Sequence, residues 1–256
     1  MDVYSQCMPV VKSFKSGEIL EYDVVYNWGF IWVNAGKVKF EAKKELLNNK
    51  EVYHFSGTGT SVKKYDWIFT VRDYYNSWAD LNSLKSIKYS RNTSEGKQKT
   101  KNYYKFDYNN YKIYTDTWNT KKKRQLDTLE LQNCTFDIMT AVYYARTFDF
   151  SNFKENQKIP LTMIVDNEIY NLYGRFLGKD IIETREGEKY NCLKFSILLI
   201  EGTIFKGGED LFVWVSDDEN RIPLLVEAKI LVGSVKAVFK NAYNLKYKTN
   251  YKLNDL

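Results

Sequence analysis

The chain has 256 residues, 44% of them hydrophobic, and a formal net charge of +6. That length can bury one large β core, and only three prolines and thirteen glycines exclude a disordered or Pro-rich architecture. No run of about eighteen apolar residues occurs, which excludes a membrane-spanning helix. The Lys excess suits solvated strand faces and sheet edges, where it blocks edge-to-edge pairing.

Residues 1–16 form a weakly patterned lead-in without the apolar core of a signal peptide. The expectation is a cytoplasmic chain, or one whose signal has been removed or lies outside this sequence. Residues 17–256 read as one antiparallel β domain. Leu20, Tyr22, Val24, Tyr26 and Trp28 share a face of the first strand, opposite Glu21, Asp23 and Asn27. The stretch from Gly29 to Gly36 reads as a turn or bulge carrying Phe30 and Trp32. Val38, Phe40 and Ala42 then alternate with charged residues, and Asn48-Asn49-Lys50 signals a turn. Further strands are predicted over 52–60, ending in a flexible Gly-Thr-Gly-Thr, and over 67–78. Hairpins follow around Ser94-Glu95-Gly96 and around the basic cluster from Lys121 to Arg124. Turns recur about every 8–12 residues, as in sandwiches and barrels.

The rhythm breaks once, over 135–148. Ile138, Val142 and Ala145 make one stripe, and Phe136, Met139 and Tyr143 a second beside it. A helix apolar nearly all round is buried, here against the concave face of the sheet. Thr135 is the expected N-cap, with Asp137 in the first turn. Burial also requires polar partners for Asp137 and Arg146. Strands resume at 158–165, 168–176, 180–185 and 190–201. Leu211 to Phe239 is a three-stranded run whose first strand is apolar on both faces, so both faces should be covered. A last Tyr- and Lys-rich strand is expected over 241–253. The fold class is mainly β: a single strongly curved antiparallel sheet or incomplete barrel, with one buried helix near 135–148.

Catalytic patterns are absent. The one histidine, His54, lies inside a strand, and no Gly-x-Ser-x-Gly elbow or phosphate-binding glycine loop is present. Cys7, Cys134 and Cys192 have no metal-ligand spacing. A Cys134–Cys192 disulfide and three reduced thiols are both open. The acids Glu209-Asp210 and Asp217-Asp218-Glu219 are the one pair of clusters a glycan-acting enzyme would use, provided that Asp218 and Glu209 face one groove. No catalytic residue, cofactor or metal is expected, and the four-residue basic cluster is too short for a nucleic-acid surface. The ligand-binding candidates are Trp28, Trp32, Tyr143, Arg146 and Trp214, whose rings and charge suit a lipid chain or sugar face.

The order of signals then resembles a known family. GEILEYDVVYNWGFIWVNAG from Gly17, FDIMTAVYYAR from Phe136, and FVWVSDDENRIPLLVEAKILVGSVKAVF from Phe212 look like the domain of unknown function 3108. The most distinctive element is Trp214, Ser216, Asp218, Arg221 and Pro223 before a strand ending at Gly233. This resemblance implies an exported bacterial envelope protein, periplasmic or at the cell surface. It also implies a curved sheet around a helix, similar to outer-membrane lipoprotein carriers. It implies no catalytic site. The expected function is non-catalytic: binding or carrying a lipid, lipoprotein or other amphiphile in the concave face. A module that docks an envelope protein partner, without a small-molecule ligand, is the alternative.

Overall fold

Alternating apolar and polar residues give long strands, and the computed structural model joins them edge to edge into one sheet. It describes residues 13–28, 31–132, 134–184, 187–199, 207–229 and 233–253. The first strands are β1 (Glu18–Trp28), β2 (Ile31–Leu47), β3 (Lys50–Ser61) and β4 (Val71–Asp80). Then come β5 (Ser86–Glu95), β6 (Gln98–Asp107), β7 (Lys112–Asn119) and β8 (Lys122–Glu130). A short β9 (Thr135–Phe136) leads into the helix α1 (Ile138–Ala145). The remainder is β10 (Lys158–Val165), β11 (Glu168–Glu183), β12 (Lys189–Leu199), β13 (Gly208–Ser216), β14 (Pro223–Lys229), β15 (Ser234–Tyr243) and β16 (Lys252–Leu253).

The strand order is β8-β7-β6-β5-β4-β3-β2-β1-β15-β14-β13-β12-β11-β10-β9, with β16 added to β12. Pairing is antiparallel throughout, except between β10 and β9. The sheet therefore has two free ends, and no backbone ladder joins β8 to β9 among the described residues. Side chains bridge the gap instead. Asp166 and Asn167, both at positive φ, form the tight turn between β10 and β11. Asp166 accepts bonds from Arg91 on β5 and Asn102 on β6, each 2.9 Å. Asn167 accepts from Thr115 on β7 and donates to Asp127 on β8 at 2.7 Å. The result is an incomplete barrel, laced across its opening.

The helix lies against β3, β4 and β10. Its N-cap is Asp137, which accepts the Thr140 N–H at 2.9 Å. The Asp137 carboxyl is wholly buried and also accepts from the hydroxyls of Ser77 (2.7 Å), Ser86 (2.6 Å) and Thr140 (2.9 Å). Burial pushes its pKa up, against the pull of those donors. Thr135, the expected cap, belongs to β9 instead. Tyr143 stacks on Phe55 at 4.0 Å, and Phe136 on Tyr144 at 4.4 Å. At the C-cap, Arg146 makes a buried bidentate pair with Glu18 at 2.6 and 3.0 Å and donates to the Asn220 carbonyl at 2.9 Å. Asp137 and Arg146 are thus each satisfied, by different partners.

Several expectations change. The Gly-Thr-Gly-Thr segment is regular β3, and Gly57 is needed for closeness: a Cβ there would lie 3.0 Å from Met139 Sδ. Residues 67–70 are outside the strand predicted there, because the chain makes a 3-10 turn at Lys63–Tyr65 and β4 begins at Val71. Of the stretch predicted as a turn, residues 31–36 are a strand with a bulge at Ala35, while Gly29 and Phe30 lie outside the described residues; a Cβ at Gly36 would sit 2.5 Å from the Thr60 carbonyl oxygen. The two strands predicted at 168–176 and 180–185 are one, β11, bent by a bulge at Leu177. The last strand is short: among the described residues only Lys252–Leu253 pair after β15 ends. Cys134 is disulfide-bonded while Cys192 is a free buried thiol, so Cys134 and Cys192 do not bond to each other. The third cysteine, Cys7, lies outside the described residues.

Candidate functional site

Antiparallel register aligns apolar side chains into rows across six strands. Val24 pairs with Ala237, Ala237 with Val226, Val226 with Val213, Val213 with Phe195, and Phe195 with Phe176. A second row runs Tyr26, Val235, Ala228, Leu211, Ile197, Gly174. Within one row, paired residues point to the same face of the sheet. Phe195 and Phe176 are buried; every other member of both rows is half-buried. This is an apolar trough built by β1 and β11–β15, and among the described residues no helix is laid over it.

At its lower end the trough meets a cleft of 660 Å³ whose apolar wall is Phe150, Phe153, Phe176 and Leu193. Arg221, Lys179 and the acids Asp149, Glu155 and Asp217–Glu219 also line it, with Lys179 paired to Asp217 at 2.7 Å. Arg221 sits at φ 49, a left-handed conformation that costs a non-glycine residue stability. The turn holds it there. Asp218 accepts the N–H groups of Asn220 (3.0 Å) and Arg221 (3.2 Å) and the Ser216 hydroxyl (2.7 Å), while Ser216 Oγ accepts the Ile222 N–H at 2.8 Å. The Arg221 guanidinium lies 5.4 Å over the Phe150 ring and reaches the Arg146 carbonyl at 3.4 Å. Burial pulls its pKa below the usual arginine value, with Asp149 opposing. The apolar wall beside a half-buried cation suits a chain with a polar end, which would meet Arg221 among a lining whose carboxylates outnumber its cations.

A profile of the family described as "Protein of unknown function (DUF3108)" matches residues 21–240. The chain belongs to this family. No curated protein matches it. Among solved structures it is similar to the crystal structure of a beta-barrel-like protein of domain of unknown function DUF1849 from Brucella abortus. The TM-score is 0.57 at 8% identity, covering 91% of this chain and 100% of that one. That likeness shows the fold, a barrel-like antiparallel sheet.

The DUF3108 motif residues now have structural roles. Ser216 and Asp218 build the turn, Arg221 projects from it into the cleft, and Pro223 opens β14. Trp214 is 9% exposed; its indole N–H donates to Asp180 at 2.8 Å and Lys194 sits 4.8 Å above the ring. Neighbouring Trp214 and Val215 join different core clusters, so β13 is covered on both faces at this end, as its composition implied. Tyr143 on α1 and Arg146 at its C-cap are buried, 1% and 3% exposed, with Arg146 bound to Glu18. Trp32 is half exposed at the far end, with Lys236 5.3 Å over its ring. Trp28 closes β1, and its side chain lies outside the described residues. The five sequence candidates therefore do not form one site. Arg221 was named only as a motif residue, and its turn chemistry, acids followed by Asn-Arg-Ile-Pro, was the available signal.

Other chemistry has structural occupants. His54 stacks on Trp78 at 4.7 Å and bonds Glu45 and Asn76. Glu209 lies near the start of β13 and Asp218 in the turn beyond its other end, so the strand from Glu209 to Ser216, about 23 Å at strand spacing, separates them and they do not share a groove. Arg175, Ser196 and Tyr173 bind Glu209 and hold its pKa down to about 2. Burial pushes the Cys192 thiol up to about 12. Arg124 of the basic cluster grips Asp116 at 2.6 and 2.7 Å, and the cluster lies on the exposed edge strand β8. Among the described residues no group of three or more His, Cys, Asp or Glu could hold a metal. Among them, too, no helix is long and apolar enough to cross a membrane.

Proposed function

We propose that this protein is a non-catalytic component of the bacterial envelope that binds an amphiphile along the trough of β1 and β11–β15. The carrying observation is the two registered apolar rows left half-buried over six strands. A sheet face that apolar normally packs on a second layer. Here the chain of such a ligand would lie on the rows, and its polar head group would meet Arg221 at the cleft. The disulfide at Cys134 supports an oxidising compartment such as the periplasm, where such bonds persist.

Native mass spectrometry of protein purified without detergent, followed by organic extraction, tests this reading. A stoichiometric amphiphile, with weaker retention in Arg221→Gln, is the expected result. A clean apo mass, with no uptake of added fatty acid or phospholipid, overturns it in favour of a module that docks protein partners.

A further inference from the structure

Antiparallel alternation gathers the β1–β2, β3–β4, β5–β6 and β14–β15 connections at one end of the sheet, opposite the Arg221 turn. The β3–β4 loop there reads Lys-Lys-Tyr-Asp-Trp-Ile-Phe from Lys63. Trp67 is 82% exposed, Ile68 63% and Phe69 53%. Three consecutive large apolar side chains left in water are unfavourable unless something covers them.

The loop is built, not slack. Asp66 accepts from Ser61 Oγ and from Arg72 Nη2, each at 2.5 Å, and its carbonyl accepts from Thr70 Oγ1 at 2.8 Å. The Ile68 and Phe69 N–H groups both donate to the Tyr65 carbonyl, at 2.9 and 3.1 Å. Gly96 donates its N–H to the Thr70 carbonyl at 2.7 Å, and Phe69 lies so close to Gly96 that a Cβ there would meet Cε2 at 2.8 Å. These bonds fix the backbone of the loop and hold Phe69 against Gly96, while Trp67, Ile68 and Phe69 stay exposed.

The surrounding charge indicates what covers them. Lys63, Lys64 and Lys97 are exposed around the loop. Its acids are Asp66, which Arg72 neutralises, and Glu95 at the start of the adjacent turn. Trp32 stands on the same rim, since the Val62 N–H bonds the Ala35 carbonyl of β2. Trp and Phe beside lysines are the composition that settles at the headgroup level of an anionic bilayer. A protein partner would need about 800 Å² of surface, more than so short a loop supplies.

We propose that the loop of Lys63–Thr70 docks this protein on the surface of an anionic membrane, with Trp67, Ile68 and Phe69 entering the interface and Lys63, Lys64 and Lys97 facing the phosphates. This does not rest on the amphiphile reading, although docking would bring the upper row of the trough close to lipid. The test is co-flotation with vesicles of equimolar phosphatidylcholine and phosphatidylglycerol, and with vesicles of phosphatidylcholine alone.

The wild-type protein is expected to float with the anionic vesicles. The combined variant Trp67→Ser, Ile68→Ser, Phe69→Ser and the charge variant Lys63→Glu, Lys64→Glu should each partition about tenfold more weakly, with thermal unfolding unchanged because these side chains are exposed. Brominated lipid should quench tryptophan fluorescence in wild type and less in Trp67→Ser. Wild type that does not float overturns the proposal, as does equal floating of the apolar variant. A self-association that the apolar variant abolishes, without vesicle binding, assigns the loop to a protein contact and also overturns it. Vesicle flotation and extraction of a bound amphiphile are separate readouts, so either reading can fail alone.

Discussion

The β3–β7 half and the β11–β15 half are woven from the same alternation, yet they finish differently. In the first, α1 and the core side chains clustered with it fill the inner face: Phe55, Tyr89, Tyr104 and Ile113 are all at or below 1% exposure. In the second, Val213, Val226, Ala237 and Ile197 stay half-buried on register-aligned rows. The helix has eight residues, about 12 Å of length. It is too short to cover both halves, so an apolar face and a covered face are not the same thing. The half over which no helix lies among the described residues is the one proposed to take a ligand.

The largest effect is expected at the seam between them. Glu18 opens β1, and its partner Arg146 also holds the Asn220 carbonyl of the β13–β14 turn. Glu18→Ala leaves a buried guanidinium unpaired and should cost about 3–5 kcal/mol in urea unfolding. A loss below about 1 kcal/mol would mean that the seam opens to water.

A matched pair then measures the comparison itself. Ile113→Ala, in the filled half, should cost about 2–5 kcal/mol, whereas Ile197→Ala, in the trough, should cost about 1 kcal/mol. Equal costs would show that the trough is covered in solution. Added fatty acid that raises the cost at Ile197 alone would identify the cover.

A pH test probes the polar end of the filled half. Burial, then the neighbouring Glu95, raises the Asp73 pKa from 3.8 to about 7. The folded state therefore keeps a proton that the unfolded chain releases at lower pH. Stability from this group is present below its unfolded pKa and is lost as pH rises toward 7. Asp73→Asn should gain about 1–3 kcal/mol at alkaline pH and nothing at acid pH, measured by thermal unfolding across the range. No difference between the two pH extremes would place Asp73 in water.

The smallest expected effect is Val226→Thr, which puts a hydroxyl in the trough. It should change stability by less than about 1 kcal/mol yet reduce the amphiphile retained in native mass spectrometry. Unchanged retention would move the ligand off the rows.

Much of this was legible. The register of β13–β15 follows from Leu224 to Val232 alternating with charges, and the helix announced itself where the period of two broke. The strand predicted from Trp67 was lost because exposed Trp67, Ile68 and Phe69 mimic a strand pattern. Only the Asp66–Arg72 pair and the 3-10 turn show them to be a loop. Arg146 read as a ligand-binding candidate because its partner, Glu18, is 128 residues away in the chain. The disulfide likewise could not be paired from spacing, since spacing carries no distance.

The sequence alone determined the antiparallel class, the alternation that fixes register and the single helix. These depend on neighbours a few residues apart, which the chain encodes locally. Tertiary structure decided which apolar face received the helix, which buried charges found each other, and that Arg221 meets Phe150 at a cleft. Those outcomes depend on contacts between strands far apart in the chain, and only the closing curve of the sheet brings them within reach.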